Sequence, residues 1–292
     1  IKLHRSEKFG EVARIVREHG LHTICSSGRC PNQAECWSRR TATFMILGDI
    51  CTRSCKFCAT ATGKPLPPDP DEPRKLARSI SLMGLKHCVV TSVDRDDLPD
   101  GGAALWAESV RAVRELNPDT TIELLIPDFD AREELIDLVA DARPDILGHN
   151  IETVRRLTPQ VRSRARYEVS LRTLAHIARR GLTAKSGLMV GLGETDEEVH
   201  GVLADLAAAG CDIVTIGQYM RPSQKHHPVE RYVHPGIFES YAQKGRELGI
   251  PFVFSAPLVR SSYNAEQAYA SLLNRQQHMP SEAAEPRGSE QP

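Results

Sequence analysis

From residue 41 onward, short β-branched and apolar runs alternate with longer segments of helical periodicity. The strand-like runs are residues 41–48, 87–93, 121–126, 145–148, 183–190 and 212–217. Helix-like segments follow at 103–116, 131–142, from beyond 148 to about 181, 197–209 and 236–248, and a Pro-rich stretch at 64–73 leads into a first crossover helix. Strict β–α alternation makes the strands parallel, since each crossover returns the chain to the same end of the sheet. Six such units predict an α/β protein built as a partial (β/α)6 TIM-type barrel, with its active face at the C-terminal ends of the strands. Residues 1–40 form an N-terminal extension with an amphipathic helix at 6–20. Residues 41–250 form the barrel, and residues 251–277 a short C-terminal extension with an add-on strand at 252–255. The polar tail 278–292, rich in Glu, Pro and Ser, is expected to be disordered.

Six of the eight cysteines lie in two triplets, Cys25, Cys30, Cys36 and Cys51, Cys55, Cys58. The second triplet hangs off the end of the first strand. A chain of 292 residues with 40% hydrophobic content has an ordinary core and no need of a disulfide scaffold. A structural zinc site takes four ligands, and no histidine lies between Cys51 and Cys58. Three thiolates do suit a cubane iron–sulfur cluster with one iron left open, and two triplets predict two [4Fe–4S] clusters.

The Cx3Cx2C spacing of Cys51, Cys55 and Cys58 resembles the radical S-adenosylmethionine superfamily. There the amino and carboxylate groups of S-adenosylmethionine chelate the open iron, and Phe57 matches an aromatic position near the adenine. The run from Cys25 through Ser26, Ser27, Gly28, Arg29, Cys30, Pro31 and Asn32 to Cys36 and Trp37 resembles the auxiliary-cluster motif of the lipoyl synthase family. So do Gly48-Asp49-Ile50-Cys51, the acidic run from Thr91 to Gly102, His149-Asn150-Ile151-Glu152-Thr153, Gly191-Leu192-Gly193-Glu194-Thr195, Gln218-Tyr219-Met220-Arg221-Pro222 and Arg260-Ser261-Ser262-Tyr263. The resemblance spans about residues 10–270. It implies a sulfurtransferase that inserts sulfur at carbons 6 and 8 of an octanoyl chain amide-linked to a lysine of a carrier domain. The auxiliary [4Fe–4S] cluster is the implied sulfur donor, and Ser262, with Ser261 as the alternative, its fourth ligand. The implied partners are the glycine cleavage H protein or 2-oxoacid dehydrogenase E2 subunits, a ferredoxin or flavodoxin, and an iron–sulfur cluster carrier. Two rival readings are a biotin synthase-like enzyme, whose second cluster takes different ligands, and a non-catalytic electron carrier, whose clusters would be fully ligated by cysteine.

Other polar residues fall on the active face. Asn150 and Glu152 follow the fourth strand, as cofactor ligands or as a helix cap. Glu194 lies in a Gly-rich turn near the expected cofactor, and Arg221 either clamps a carboxylate or makes a surface ion pair. Asp94, Asp96 and Asp97 form an acidic turn that orients the cofactor or orders its loop. His226 and His227 sit in a basic loop, suited to metal or, better, to a protein substrate. Cys88 and Cys211 read as small buried residues. The formal net charge of −1 gives no basic field for nucleic acid or anionic membranes, and no apolar run is long enough to span a bilayer. Reduced thiols point to the cytoplasm, or to an organelle matrix if a transit peptide has been removed.

Overall fold

The computed structural model describes residues 10, 13–16, 23–27, 30, 32–38, 41–262, 269 and 271. Seven parallel strands form one open sheet and pair in the order in which they follow one another in sequence. They are β1 Thr41–Ile46, β4 His87–Ser92, β5 Thr121–Leu125, β6 Ile146–Gly148, β7 Thr183–Val190, β8 Ile213–Gln218 and β9 Phe252–Ser255. A separate ladder of two-residue strands, β2 Ile50–Cys51 and β3 Ala61–Thr62, sits in the loop after β1. The six expected units are present. The expected add-on at 252–255 is a full member of the sheet, paired in parallel with β8 from Ile213↔Phe252 to Ile216↔Ser255. The expected helix at 6–20 falls largely outside the described residues, with 13–16 helical. The tail 278–292 lies outside them.

β1 and β8 are buried along almost their whole length, with helices on the outer face and the barrel interior on the other. The helix Glu72–Met83 turns Leu76, Ile80 and Met83 to the core and ends on Gly84, whose φ of 57° takes the left-handed cap. Ala103–Leu116 packs beside it with Trp106, Val110 and Val113 inward. These helices and β1, β4 and β5 share one apolar core. A second core joins β7 and β8 to the helices Asp196–Ala208 and Pro235–Glu247 through Leu188, Leu203, Phe238 and Tyr241. Thr195 and Glu198 form a capping box that starts Asp196–Ala208 directly after the Gly191–Glu194 turn.

Polar residues close the lower end of the barrel interior. Lys185 Nζ on β7 donates to Glu123 Oε1 on β5 at 2.6 Å, and His87 Nε2 on β4 lies 3.4 Å from Glu123 Oε2. All three are buried, at 3%, 2% and 2% exposure. The lysine crosses in front of β6, where Gly148 has no side chain; a Cβ there would meet the Lys185 carbonyl at 3.0 Å. Burial would raise Glu123, but Lys185 and then His87 outweigh it and hold the carboxylate below its usual range. Removing one member strands a buried charge, whereas replacing the pair does not. Lys185→Ala should therefore cost about 3–5 kcal/mol, read as a lower urea midpoint. The double change Lys185→Met with Glu123→Leu should cost much less.

Candidate active site

β1 ends at Ile46, and the chain turns through Leu47 and Gly48 with φ of 67° and 92°. The strained Leu47 is held from both sides. Its N–H donates to Glu72 Oε2 at 2.8 Å, and its carbonyl accepts from Arg95 Nη1 at 3.2 Å. The cysteine loop follows and is tied to the ends of three other strands. Thr52 N donates to Asp94 O beyond β4, Lys56 N to Val161 O beyond β6, and His227 N beyond β8 to Lys56 O. His226 Nε2 lies 2.9 Å from Cys58 O. The two histidines expected to face a metal or a protein substrate are thus spent on backbone carbonyls: His227 Nε2 also meets Leu192 O at 3.0 Å.

Arg53, between the first and second cysteines, is the anchor of this loop. Its Nε and Nη2 donate to Asp96 at 2.9 and 2.8 Å, and Nη1 and Nη2 donate to Asp128 at 3.1 and 3.0 Å. Nη1 also lies 3.4 Å from Asp94 Oδ1. Burial favours the neutral form of the guanidinium, but the carboxylates outweigh it and raise Arg53. Burial likewise pushes Asp128 up, and Arg53 and His149 reverse this, drawing it to about 2. Asp94 is raised, with burial the leading cause and Arg53 opposing. The acidic turn thus orders the loop. Asp97 has a different role, pairing bidentately with Arg95.

Within the loop, Cys51 Sγ accepts from the amides of Arg53 and Asp94 at 3.4 and 3.3 Å. Burial, then Asp94, pushes its thiol up to about 11. Cys55 Sγ lies 3.9 Å from Ser163 Oγ, and Cys58 Sγ donates to Thr60 Oγ1 at 3.3 Å. All eight cysteines are free, and Cys88 and Cys211 are buried as expected. Among the described residues no three His, Cys, Asp or Glu side chains converge on a single metal ion. A cubane places its irons at separate corners and needs no such convergence. The three soft thiols on one short loop, with two amides aimed at Cys51, fit that group.

Beyond β6, Asn150 Nδ2 donates to Glu152 Oε1 at 3.2 Å and to Ser261 Oγ at 3.4 Å. Neither residue caps a helix: the next one, Thr158–Val161, has Leu157 at its N-cap and no side-chain cap. Glu152 has φ of 68° and bridges to β7, its N–H on Gly187 O and its carbonyl on Met189 N. Gly187 is required here, since a Cβ would meet Asn150 Oδ1 at 2.9 Å and Thr215 Oγ1 at 2.7 Å. Burial raises Glu152 against the pull of Arg162 and Asn150. Glu194 turns inward on its own loop, accepting from Gly191 N at 2.6 Å and Leu192 N at 2.9 Å. Arg221 is exposed and donates to the carbonyls of His226 and Gln224, closing its own loop. Phe57 is half-buried against the second core.

Several members of the site carried no separate signal in the sequence. Arg162 is buried, and Nη1 donates to Ser170 Oγ at 3.0 Å and to Ile151 O at 3.4 Å. Its Nε has no hydrogen-bond partner, and no carboxylate pairs with it among the described residues. Arg53 could have been matched by charge to the acidic turn. Asp128, Arg162 and Ser163 could not, since only the fold brings them to the loop.

The first triplet lies along the β1 edge. Cys25 is on the helix Ile24–Ser27, next to Thr23, which bridges to Phe44. Cys30 N donates to Cys25 O at 3.1 Å, and Cys36 sits on the helix Gln33–Ser38 with Trp37 buried. Asn32 Nδ2 donates to Leu258 O at 2.7 Å, a link across 226 positions that joins the two extensions. Ala256 N and Pro257 O bond to β8, and the chain beyond lies against Gly217, where a Cβ would stand 2.1 Å from Val259 O. Ser261 faces Asn150. Ser262 is half-buried, and its hydroxyl has no hydrogen-bond partner among the described residues. Tyr263 lies outside them.

Residues 45–206 match the Radical SAM superfamily. The fold is similar to those of two solved structures. Methylornithine synthase (PylB) aligns over 93% of both chains with a TM-score of 0.54 at 13% identity. Streptococcus suis SuiB bound to S-adenosylmethionine aligns over 77% of this chain and 53% of its own, with a TM-score of 0.59 at 10% identity. The cysteine loop at the mouth of a parallel barrel is thus that of a radical S-adenosylmethionine protein. Curated relatives narrow this further. Lipoyl synthase of Bacteroides fragilis (strain YCH46) is 60% identical over 267 residues, covering 91% of this chain and 93% of its own. Others named lipoyl synthase match down to 53% identity at similar coverage. The chain belongs to the lipoyl synthase family and is a sulfurtransferase; membership implies a [4Fe–4S] cluster and S-adenosylmethionine. No helix among the described residues is long and apolar enough to cross a membrane.

His149 links the site to the core. Its Nδ1 lies 2.9 Å from Ile126 O and must donate to it, so Nε2 accepts from Ser170 Oγ at 2.9 Å while that hydroxyl accepts from Arg162. Burial, then Arg162, pulls His149 down to about 4. A depressed histidine stabilises the fold above its unfolded value of about 6.5, and the gain is lost as pH falls toward about 4. The stability of the wild type relative to His149→Gln should therefore shrink over that window in paired urea titrations. A constant difference would show that folding leaves the protonation of His149 unshifted.

Proposed function

We propose that this chain inserts two sulfur atoms, at carbons 6 and 8, into an octanoyl chain carried on a lysine of a lipoyl carrier domain. The carriers meant are the glycine cleavage H protein and the E2 subunits of 2-oxoacid dehydrogenases. The observation that carries this reading is the path of the C-terminal segment. Leu258 is bonded to Asn32 in the first triplet, and Ser261, three residues on, is bonded to Asn150 on the active face. The first cysteine triplet is thereby tied to the mouth of the barrel, where an acyl chain must be activated.

Cys51, Cys55 and Cys58 would hold one [4Fe–4S] cluster, and Cys25, Cys30 and Cys36 with Ser262 the other. Bound there, these clusters and S-adenosylmethionine supply hydrogen abstraction at unactivated carbon and the sulfur that replaces it. The protein's part is placement. Arg53 fixes the loop that presents three thiolates, and the amides of Arg53 and Asp94 aim at Cys51. Asn150 and Glu152 present polar groups to S-adenosylmethionine, and Phe57 an aromatic face. Glu194 contributes by shaping the Gly191–Leu192 turn. Arg221, held by its own loop, stands at the rim where carrier protein arrives. A hydroxyl is a harder and more easily displaced iron ligand than a thiolate, which suits Ser262 to a cluster that must yield its sulfide. Repeated turnover then requires an iron–sulfur cluster carrier, and each radical step a ferredoxin or flavodoxin as electron donor.

Anaerobic reconstitution should give about eight irons per chain, two cubanes' worth. Reduction should cleave S-adenosylmethionine. Replacing Cys25, Cys30 and Cys36 by alanine should halve the iron, abolish lipoyl formation and leave cleavage in place. Equal loss of both reactions would remove the division of labour. Ser262→Ala should lose iron from the auxiliary site, whereas Ser261→Ala should keep it, since Ser261 is engaged with Asn150.

A further inference from the structure

Arg260 is a half-buried cation without a carboxylate partner among the described residues. Its Nη1 donates to Val259 O at 2.7 Å and Pro257 O at 3.4 Å, and Nη2 lies 3.1 Å from Met220 Sδ. These carbonyls fix the guanidinium against its own turn, and Gly217 clears the space, since a Cβ there would approach Arg260 Nη1 to 3.3 Å. The turn is in turn docked on the first triplet by Asn32 and Leu258. The guanidinium ends close enough to Cys30 for each to act on the other's charge, and Asn32, which holds this turn through Leu258, lies two residues from Cys30.

A buried guanidinium normally finds a carboxylate, as Arg53 does three times over. Arg260 satisfies its donors on neutral carbonyls and keeps its charge for something else. Three thiolates and a serine oxygen around a cubane leave that assembly anionic, and in a half-buried site a fixed neighbouring charge is poorly screened. Net charge is among the determinants of a cluster's potential. We propose that Arg260 is a positioning residue for the auxiliary cluster, holding a fixed positive charge beside Cys30 that favours loading of the anionic cluster and raises its reduction potential. This rests on the two-cluster reading above.

The test uses the full chain with Cys51, Cys55 and Cys58 replaced by alanine, so that the auxiliary site is alone. Iron content and a redox titration followed by EPR are measured on this parent and with Arg260→Gln or Arg260→Lys added. The glutamine variant should shift to more negative potential or fail to load, while the lysine variant, which keeps the charge, stays near the parent. Equal potentials in all three, or failure of both variants to load, would overturn the inference, the second because geometry rather than charge would be what Arg260 supplies. A parent that binds no cluster would instead overturn the two-cluster reading itself, and the inference with it.

Discussion

One guanidinium holds the cysteine loop to the barrel. The stretch from Cys51 to Thr62 has little regular structure beyond a two-residue ladder and few apolar side chains to bury. Hydrophobic packing therefore cannot fix it to the precision that a three-thiolate site requires. Arg53 does so instead, because its planar fork meets Asp96 and Asp128 with two hydrogen bonds each, and two-point contacts fix orientation as well as distance. Those carboxylates hang from the ends of β4 and β5. The loop thus inherits the rigidity of the parallel sheet through a single side chain, and the backbone bonds to Asp94, Val161 and His227 complete the frame.

A second constraint brings the ends of the chain together. The C-terminal segment would clash with β8 if residue 217 carried a side chain, and it is joined to the N-terminal extension through Asn32. Glycine here serves close approach rather than a turn. The consequence is topological: two segments that flank the barrel in sequence become one side of its mouth. Among the described residues, Ile15, Cys25 and Trp37 of the N-terminal extension belong to the barrel's own apolar core, so that extension depends on the barrel edge.

The sequence revealed most of the architecture because β–α alternation and apolar period are local properties. The helix at 103–116 and the strand at 183–190 were legible to the residue. The strand at 252–255 was legible as an element but not as a sheet member, since its pairing with β8 is set by the crossover helix between them. The site divided the same way. Cysteine spacing is local and is read without any tertiary information. The acidic turn was visible, but its purpose depends on Arg53, some 40 residues earlier, and on Asp128, 75 residues beyond that arginine. Glu194 and Arg221 were legible as polar residues in functional turns. That both bond within their own loops follows from backbone geometry, which no spacing encodes.

The two ends of the barrel differ in how their buried charges are matched. At the lower end Lys185 and Glu123 answer each other directly, and the interior is closed. At the upper end the accounts stay open. Arg162 rests on Ser170 and main-chain carbonyls with Nε unpartnered, Glu152 is buried against the amide of Asn150, and Arg260 rests on carbonyls of its own turn. Each arrangement leaves its charge without an opposite partner, at a cost in folding free energy. Such groups are tolerated where a charged ligand completes them. The upper end therefore reads as a face whose electrostatics are finished by what binds there, with Arg162 turned to the loop of Cys55 and Arg260 to that of Cys30.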